Sequence, residues 1–258
     1  MTPDAKKATA LRTWTWIAML LAVMVLWQLA GATSKGRWLI SQPSLILRYA
    51  QLHASEILRS AMYTAVESFL GMLGATLFSL GFGLGAVYLP RLANIFYPWL
   101  LASQVVPFVC LAPLVILMFG PGPSGKIFLS ALMSFFPIVT NVLTGMREVP
   151  SPPLELMRMM KAKKQMVIRH VFVPHGLPYF FAGLRVAAPF AVIGAIVAEF
   201  NGAEWGVGKD IFIAAKRLEP ELMMLGILSG TLLSALLYSI AVFSEKGIGD
   251  WYQKGIQK

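Results

Sequence analysis

Long apolar windows free of charge alternate along this chain with short segments that carry nearly all of its ionisable residues. About 20 apolar residues cross the core of a bilayer, and an ionised side chain at the centre of a membrane helix costs roughly 2.5 to 3.5 kcal/mol. The windows therefore predict six spans, at about residues 14–31, 69–89, 105–119, 127–146, 178–199 and 222–244. The expected fold is all-α: a polytopic transmembrane helical bundle forming one domain over residues 1–258, with no second, soluble domain.

The segments around the windows refine this picture. Lys6, Lys7 and Arg12 precede the first window and Ala30-Gly31-Ala32 ends it, so a cleaved signal peptide is an alternative to a retained helix. Its long apolar core and the interface anchors Trp14, Trp16 and Trp27 favour retention. Residues 32–61 are amphipathic, too interrupted to span, and suit the outer interface. Glu67 falls just outside the clean core of the second window and reads as interfacial; Gly81 and Gly85 form a G-x-x-x-G that another helix can approach closely. From Leu92 to Gly125 no residue is charged, and Pro98, Pro107 and Pro113 divide this run into a lead-in helix over 92–104 and the third span. Residues 200–221 are polar again and predict an outer loop with a short helix.

Composition agrees with a membrane protein: 57% of residues are hydrophobic and 13% charged, where soluble domains carry about a quarter charged. The net charge of +10 could suit nucleic acid, but the basic residues are divided among short segments between apolar spans rather than gathered on a soluble face, which argues against that partner. The single Cys110 excludes an intramolecular disulfide and any multi-cysteine metal site. His53, His170 and His175 are scattered, and no nucleophile has a base near it, so no catalytic residue, metal ligand or cofactor-binding residue is expected. Gly120 to Lys126 nominally matches the G-x-x-x-x-G-K of a phosphate-binding loop. However, Ile127 follows where Ser or Thr would hold magnesium, and Pro121 and Pro123 lack amides, so the segment reads as a tight outer hairpin. Arg185 lies seven residues into the fifth window and roughly 21 Å along the helix from Glu199, too far to pair with it. It either snorkels to the headgroups or meets a partner on another helix or a substrate anion.

The densest charge lies between Glu155 and Pro174, where Arg158, Lys161, Lys163, Lys164 and Arg169 face one acid, Glu155. Ser151-Pro152-Pro153 predicts the start of a short helix outside the membrane, with Leu154, Met157 and Lys161 on one face and Met160 and Lys164 alongside. With the N-terminus inside, thirteen of the 22 Lys and Arg fall on the cytoplasmic side and eight outside, which places both termini and the loop at 147–176 in the cytoplasm.

Glu155-Leu156-Met157, three residues, Lys161, nine residues, then Val171-Phe172-Val173-Pro174 resembles the loop signature of binding-protein-dependent ABC transporter permeases. Phe135-Phe136-Pro137-Ile138, Gly183-Leu184-Arg185, Ala198-Glu199-Phe200 and Gly206-Val207-Gly208 resemble the nitrate, sulfonate, taurine and thiamine-precursor branch of that family. The likeness runs from about Glu56 to the C-terminus, with Leu156 and Met157 in place of alanines and Lys161 in place of glycine. Glycine there would allow a left-handed residue ending the short helix, and lysine in the same backbone costs roughly 1 kcal/mol.

The resemblance implies a type I importer permease of the bacterial inner membrane. Its partners would be a dimer of ABC ATPase subunits, a second permease copy or close paralogue, and an extracytoplasmic substrate-binding protein near residues 200–220. ATP and magnesium would be held on the ATPase, and this chain would not be an enzyme. Glu155, Met157, Met160 and Lys161 would dock on the ATPase and Pro174 would turn the chain back to the membrane; Arg185 and Glu199 are candidates for the substrate pathway. The cargo would be a nitrate-, sulfonate- or taurine-like anion or a vitamin precursor. A non-transport membrane scaffold and a secondary transporter are the alternatives, though the latter usually places ionisable groups near the midplane.

Overall fold

The described residues of the computed structural model are 3–33 and 41–256, with side chains described for 14–33, 41–91 and 94–248. Lys6, Lys7, Arg12, Lys35, Arg37, Lys254 and Lys258, which entered the charge asymmetry, lie outside the described side chains. Among the described residues every element is helical. They run α1 (Pro3–Ala32), α2 (Pro43–Leu52), α3 (Ala54–Tyr88), α4 (Pro90–Ser103), a 3-10 turn (Phe108–Leu111), α5 (Ala112–Phe119), α6 (Pro123–Arg147), α7 (Ser151–Met159), α8 (Lys164–Val167), a π turn (Ile168–Phe172), α9 (Val173–Glu199), α10 (Val207–Arg217) and α11 (Pro220–Ile256).

Five stretches are long and apolar enough to cross a membrane: Trp14–Ala32, Ala54–Tyr88, Pro123–Arg147, Lys164–Glu199 and Pro220–Ile248. The third expected span is different. Asn94–Ser103 and Phe108–Phe119 form a pair bent by 85°, because Pro107 cannot donate to a continuing helix and the chain breaks there. The second span also differs from expectation: α3 begins at Ala54, within the stretch expected to lie along the interface, and runs for 35 residues. Its first turns are exposed at Ser55, Glu56 and Arg59, but the polar residues that follow, Ser60, Thr64 and Glu67, are buried against protein. Among the described residues of that stretch, α2, where Ile46 is buried, keeps the short amphipathic character expected.

The chain packs as two compact units. One comprises residues up to Leu58 together with Asp210–Leu228, the other Arg59–Lys209 with residues from Ser229 onward. In the first, Trp27 Nε1 donates to the Ser41 carbonyl at 3.1 Å and the Gln28 amide reaches Gln42 and Ser44, both at 2.9 Å. The buried Ser41 hydroxyl donates to Glu221 Oε1 at 2.8 Å, anchoring the segment before α2 to the start of α11.

In the second unit α6 and α9 form the central contact. Gly183 faces Pro137 and Ile138 while Gly194 faces Leu129 and Ser130, so the two helices run antiparallel. Ala187, Ala188, Ala191, Ala195 and Ala198 give α9 a fully buried stripe of small side chains, the means by which membrane helices bring their backbones together. Ala191 and Val192 pack with Met72 of α3 and Leu237 of α11. Some hydroxyls in this core bond back to their own helices, as Ser134 does to Ser130 O at 2.6 Å and Thr140 to Phe136 O at 2.7 Å, and others reach across, as Ser130 does to Ser68 O at 3.4 Å, so these groups are satisfied without water.

Among the described residues nothing packs closely on the G-x-x-x-G: a Cβ at Gly81 or Gly85 would have nothing within 4 Å. The close approaches of α3 are instead at Gly71, against Ser130, and at Gly83, against Val142.

A Cβ at position 194 would lie 2.7 Å from Ser130 Cα, where only backbone could yield. Gly194→Ala is expected to cost about 1–3 kcal/mol by overpacking. Gly74→Ala, with nothing within 4 Å, is expected to be neutral or to stabilise by up to about 1 kcal/mol through helix propensity. Thermal unfolding of the two variants in detergent checks the contrast.

Candidate functional site

Two places in the second unit gather the residues that membrane helices do not otherwise need. The first is the basic loop. α7 begins with Pro150 as its N-cap and prolines in its first turn, where a missing N–H costs nothing, and ends one residue short of Met160. Lys161 has φ of +49°, the left-handed conformation expected where the family carries glycine. Lys161 N donates to Arg158 O and Ala162 N to Met157 O, each at 3.0 Å, which closes the helix in the two-bond pattern of a Schellman end. Leu154 and Met157 are half-buried, whereas Glu155, Leu156, Met159, Met160 and Lys161 are exposed. Leu156, Met159 at 82% and Met160 at 63% exposure carry the helix's free apolar surface, so of the expected apolar positions Met160 is free while Leu154 and Met157 are partly covered.

Pro174 does not turn the chain. The reversal falls between Lys161 and Lys163, and from Lys164 the helical path continues to Glu199. In α geometry the Pro174 ring would collide with the His170 carbonyl, and the π turn at Ile168–Phe172 is the local relief that keeps the path helical.

The second place is a buried polar cluster at the other end of α9. Glu199 is 1% exposed. Its Oε1 accepts from Thr64 Oγ1 of α3 at 2.6 Å and its Oε2 from Gly208 N, in the first turn of α10, at 2.6 Å. Val207 N completes the ring by donating to Thr64 Oγ1 at 2.9 Å. A carboxylate at the start of a helix also meets the positive end of its dipole. The two glycines of the Gly206-Val207-Gly208 motif leave room for this carboxylate, since a Cβ at either would overlap it, and Gly206 has φ of +142°.

Beside this ring lies an ion pair that the sequence reading did not find. Glu67, expected at the interface, is 2% exposed, and Lys126 Nζ, expected in an outer hairpin, is buried 3.1 Å from its Oε1. Neither Glu67 oxygen accepts a well-directed hydrogen bond among the described residues, so the ammonium is its main compensation. The lysine of the apparent phosphate loop is thus spent on a structural pair. The signal that could have found it was two opposite charges, each alone in an apolar run. Of the alternatives open for Arg185, the structure shows a partner on another helix: its guanidinium bonds Glu245 of α11, both about a third exposed.

Removing one partner of a buried ion pair strands the other at a cost of about 3–5 kcal/mol. Lys126→Met should therefore destabilise strongly, and Glu67→Gln with Lys126→Met should recover most of the loss, read by thermal unfolding of single and double variants. Lys161→Gly should stabilise by about 1 kcal/mol, by removing the left-handed cost of a side chain, and the same measurement would show it.

The family model described as the binding-protein-dependent transport system inner membrane component matches residues 75–250. A probable ABC transporter permease protein of Haemophilus influenzae is 30% identical over 84% of this chain and 89% of its own length. The riboflavin transport system permease protein RibX of Chloroflexus aurantiacus is 29% identical over 97% of each chain. The formylaminopyrimidine transport permease protein ThiX of Halalkalibacterium halodurans is 32% identical over 73% of this chain and 76% of its own. In structure, the chain is similar to an inward-facing form of the MetNI methionine ABC transporter, with a TM-score of 0.65 and 16% identity over 76% of this chain and 97% of that one. With its helical bundle, its membrane-length helices and a family match covering most of its length, the chain belongs to the binding-protein-dependent inner membrane components, the permease subunits of ABC importers.

Proposed function

We propose that this chain couples to its ATPase through α7 and that two copies, or one copy and a close paralogue, enclose the translocation pathway. The observation that carries the proposal is a short, firmly ended helix outside the spans that exposes Leu156, Met159 and Met160 beside Glu155 and Lys161. Methionine adapts to irregular surfaces, which suits a groove on a partner protein. The basic first part of the loop, residues 147 to about 164, and both termini lie on the cytoplasmic side in this reading, as the lysine and arginine asymmetry favours. The apolar helical path from Lys164 enters the inner leaflet, and the binding protein meets the opposite side near residues 200–220. ATP-driven closure of the ATPase pair would then move the loops as rigid bodies and alternate the access of the pathway.

The cargo is a small polar nutrient. The relatives named for riboflavin and formylaminopyrimidine support a heterocyclic vitamin precursor, and those named for aliphatic sulfonates, nitrate and taurine support a small anion. Arg185 and Glu199, each held by a neighbour within the chain, brace the pathway helix α9 in this reading.

The test is substrate-stimulated ATP hydrolysis by the transporter reconstituted in nanodiscs with its ATPase and binding protein. A buried interface anchor is worth on the order of 2 kcal/mol, so Met160→Glu should lower ATPase affinity by roughly tenfold or more. Its unfolding temperature should not change, because Met160 is exposed. Unchanged coupling would count against docking through α7.

A further inference from the structure

Beneath α7 lies a cavity of about 350 Å³ whose rim carries Arg147, Arg158 and Lys164 and whose lining includes no acid. Two of the cations are fixed in place. Arg147 lies 3.7 Å over the Tyr97 ring and donates to Asn94 Oδ1 at 2.9 Å. Lys164 Nζ donates to the Tyr88 carbonyl at 3.2 Å, which leaves two of its N–H groups for another acceptor. Arg158 has no side-chain partner among the described residues and is exposed at the mouth.

The cavity floor is apolar, and through Val87, Met146 and Phe172 it continues into a second cavity of about 270 Å³. This furrow is lined only by apolar residues and glycine and follows the helical path from Ile168 to Phe180. Twelve residues of helix rise about 18 Å, close to the roughly 15 Å of one leaflet's hydrocarbon. Three cations at one end of an apolar furrow one leaflet long match an amphiphile with an anionic head and an acyl chain. Basic pockets between membrane helices bind phospholipid headgroups in this way.

We propose that this groove binds an anionic phospholipid of the surrounding bilayer, with its phosphate between Arg158 and Lys164 and one acyl chain in the furrow along Ile168–Phe180. The bound lipid would fill the space between α7 and the ends of α3 and α6. The proposal does not depend on the docking role of α7.

Native mass spectrometry of the full chain, released from micelles doped with equal phosphatidylglycerol and phosphatidylcholine, tests it. Phosphatidylglycerol should be retained preferentially. Arg158→Gln and Lys164→Gln should each reduce that retention, on the order of fivefold per cation removed. Lys163→Gln, which removes the same charge from a residue that does not line the groove, should leave retention unchanged. Millimolar inorganic phosphate without acyl chains should not displace the lipid. Equal retention of the two lipids overturns the proposal, as does equal loss in the Lys163 variant or displacement by phosphate alone. It is also overturned if adding the ATPase expels the lipid while Arg158→Gln weakens ATPase binding, for the groove would then be a protein interface.

Discussion

The carboxylate of Glu199 is the point on which the second unit's far end depends. It ends α9, it is buried, and its two oxygens are taken by Thr64 of α3 and by the first turn of α10. A buried carboxyl group left without hydrogen-bond partners costs several kcal/mol, so the chain must bring those two donors to this spot or expose the group. The turn at 200–206 is shaped to do so. Gly206 takes a conformation that side chains avoid, and neither Gly206 nor Gly208 presents a Cβ where the carboxylate lies. One glutamate, one threonine and two glycines on three segments therefore make a single device that fixes how the chain leaves α9.

Charge elsewhere in the membrane-length helices is handled by depth. Glu67 and Lys126 are both almost wholly buried, where each offsets most of the cost of burying the other. Arg185 and Glu245 are about a third exposed, and a pair in such a setting contributes far less to stability because solvent screens it. The enclosed pair, at the entrance of α6, therefore specifies which helices meet. The half-exposed pair on α9 and α11 is more tolerant of change.

The sequence made the spans legible because their signal is local: a charged residue inside a bilayer is penalised whatever surrounds it. The short helix of the loop was legible for a similar reason, since Ser151-Pro152-Pro153 starts it and the left-handed conformation at Lys161 follows from the position of the family's glycine. What was missed depends on residues distant in the chain. Glu67 looked interfacial because its cation lies 59 positions later, on another helix. The glycines of α3 that pack closely are Gly71 and Gly83, chosen by where α6 passes and not by the four-residue spacing of Gly81 and Gly85. The break near Pro107 was legible, because the prolines divided that run at residues 104 and 105, but its angle of 85° depends on where the two halves pack. Pro174 was misread because a proline usually stops a helix, and the π turn before it absorbs the clash instead.

That absorbed clash has a mechanical result. Had the path broken at Pro174, movement of the loop would have dissipated in a flexible joint. Instead, 36 residues from Lys164 to Glu199 make a strut about 54 Å long. In the proposed coupling, a torque applied at its basic end would be carried along that strut toward the carboxylate latch at its other end, past the five residues wound as a wider coil and the two points, Pro178 and Pro189, where the helix lacks a backbone donor.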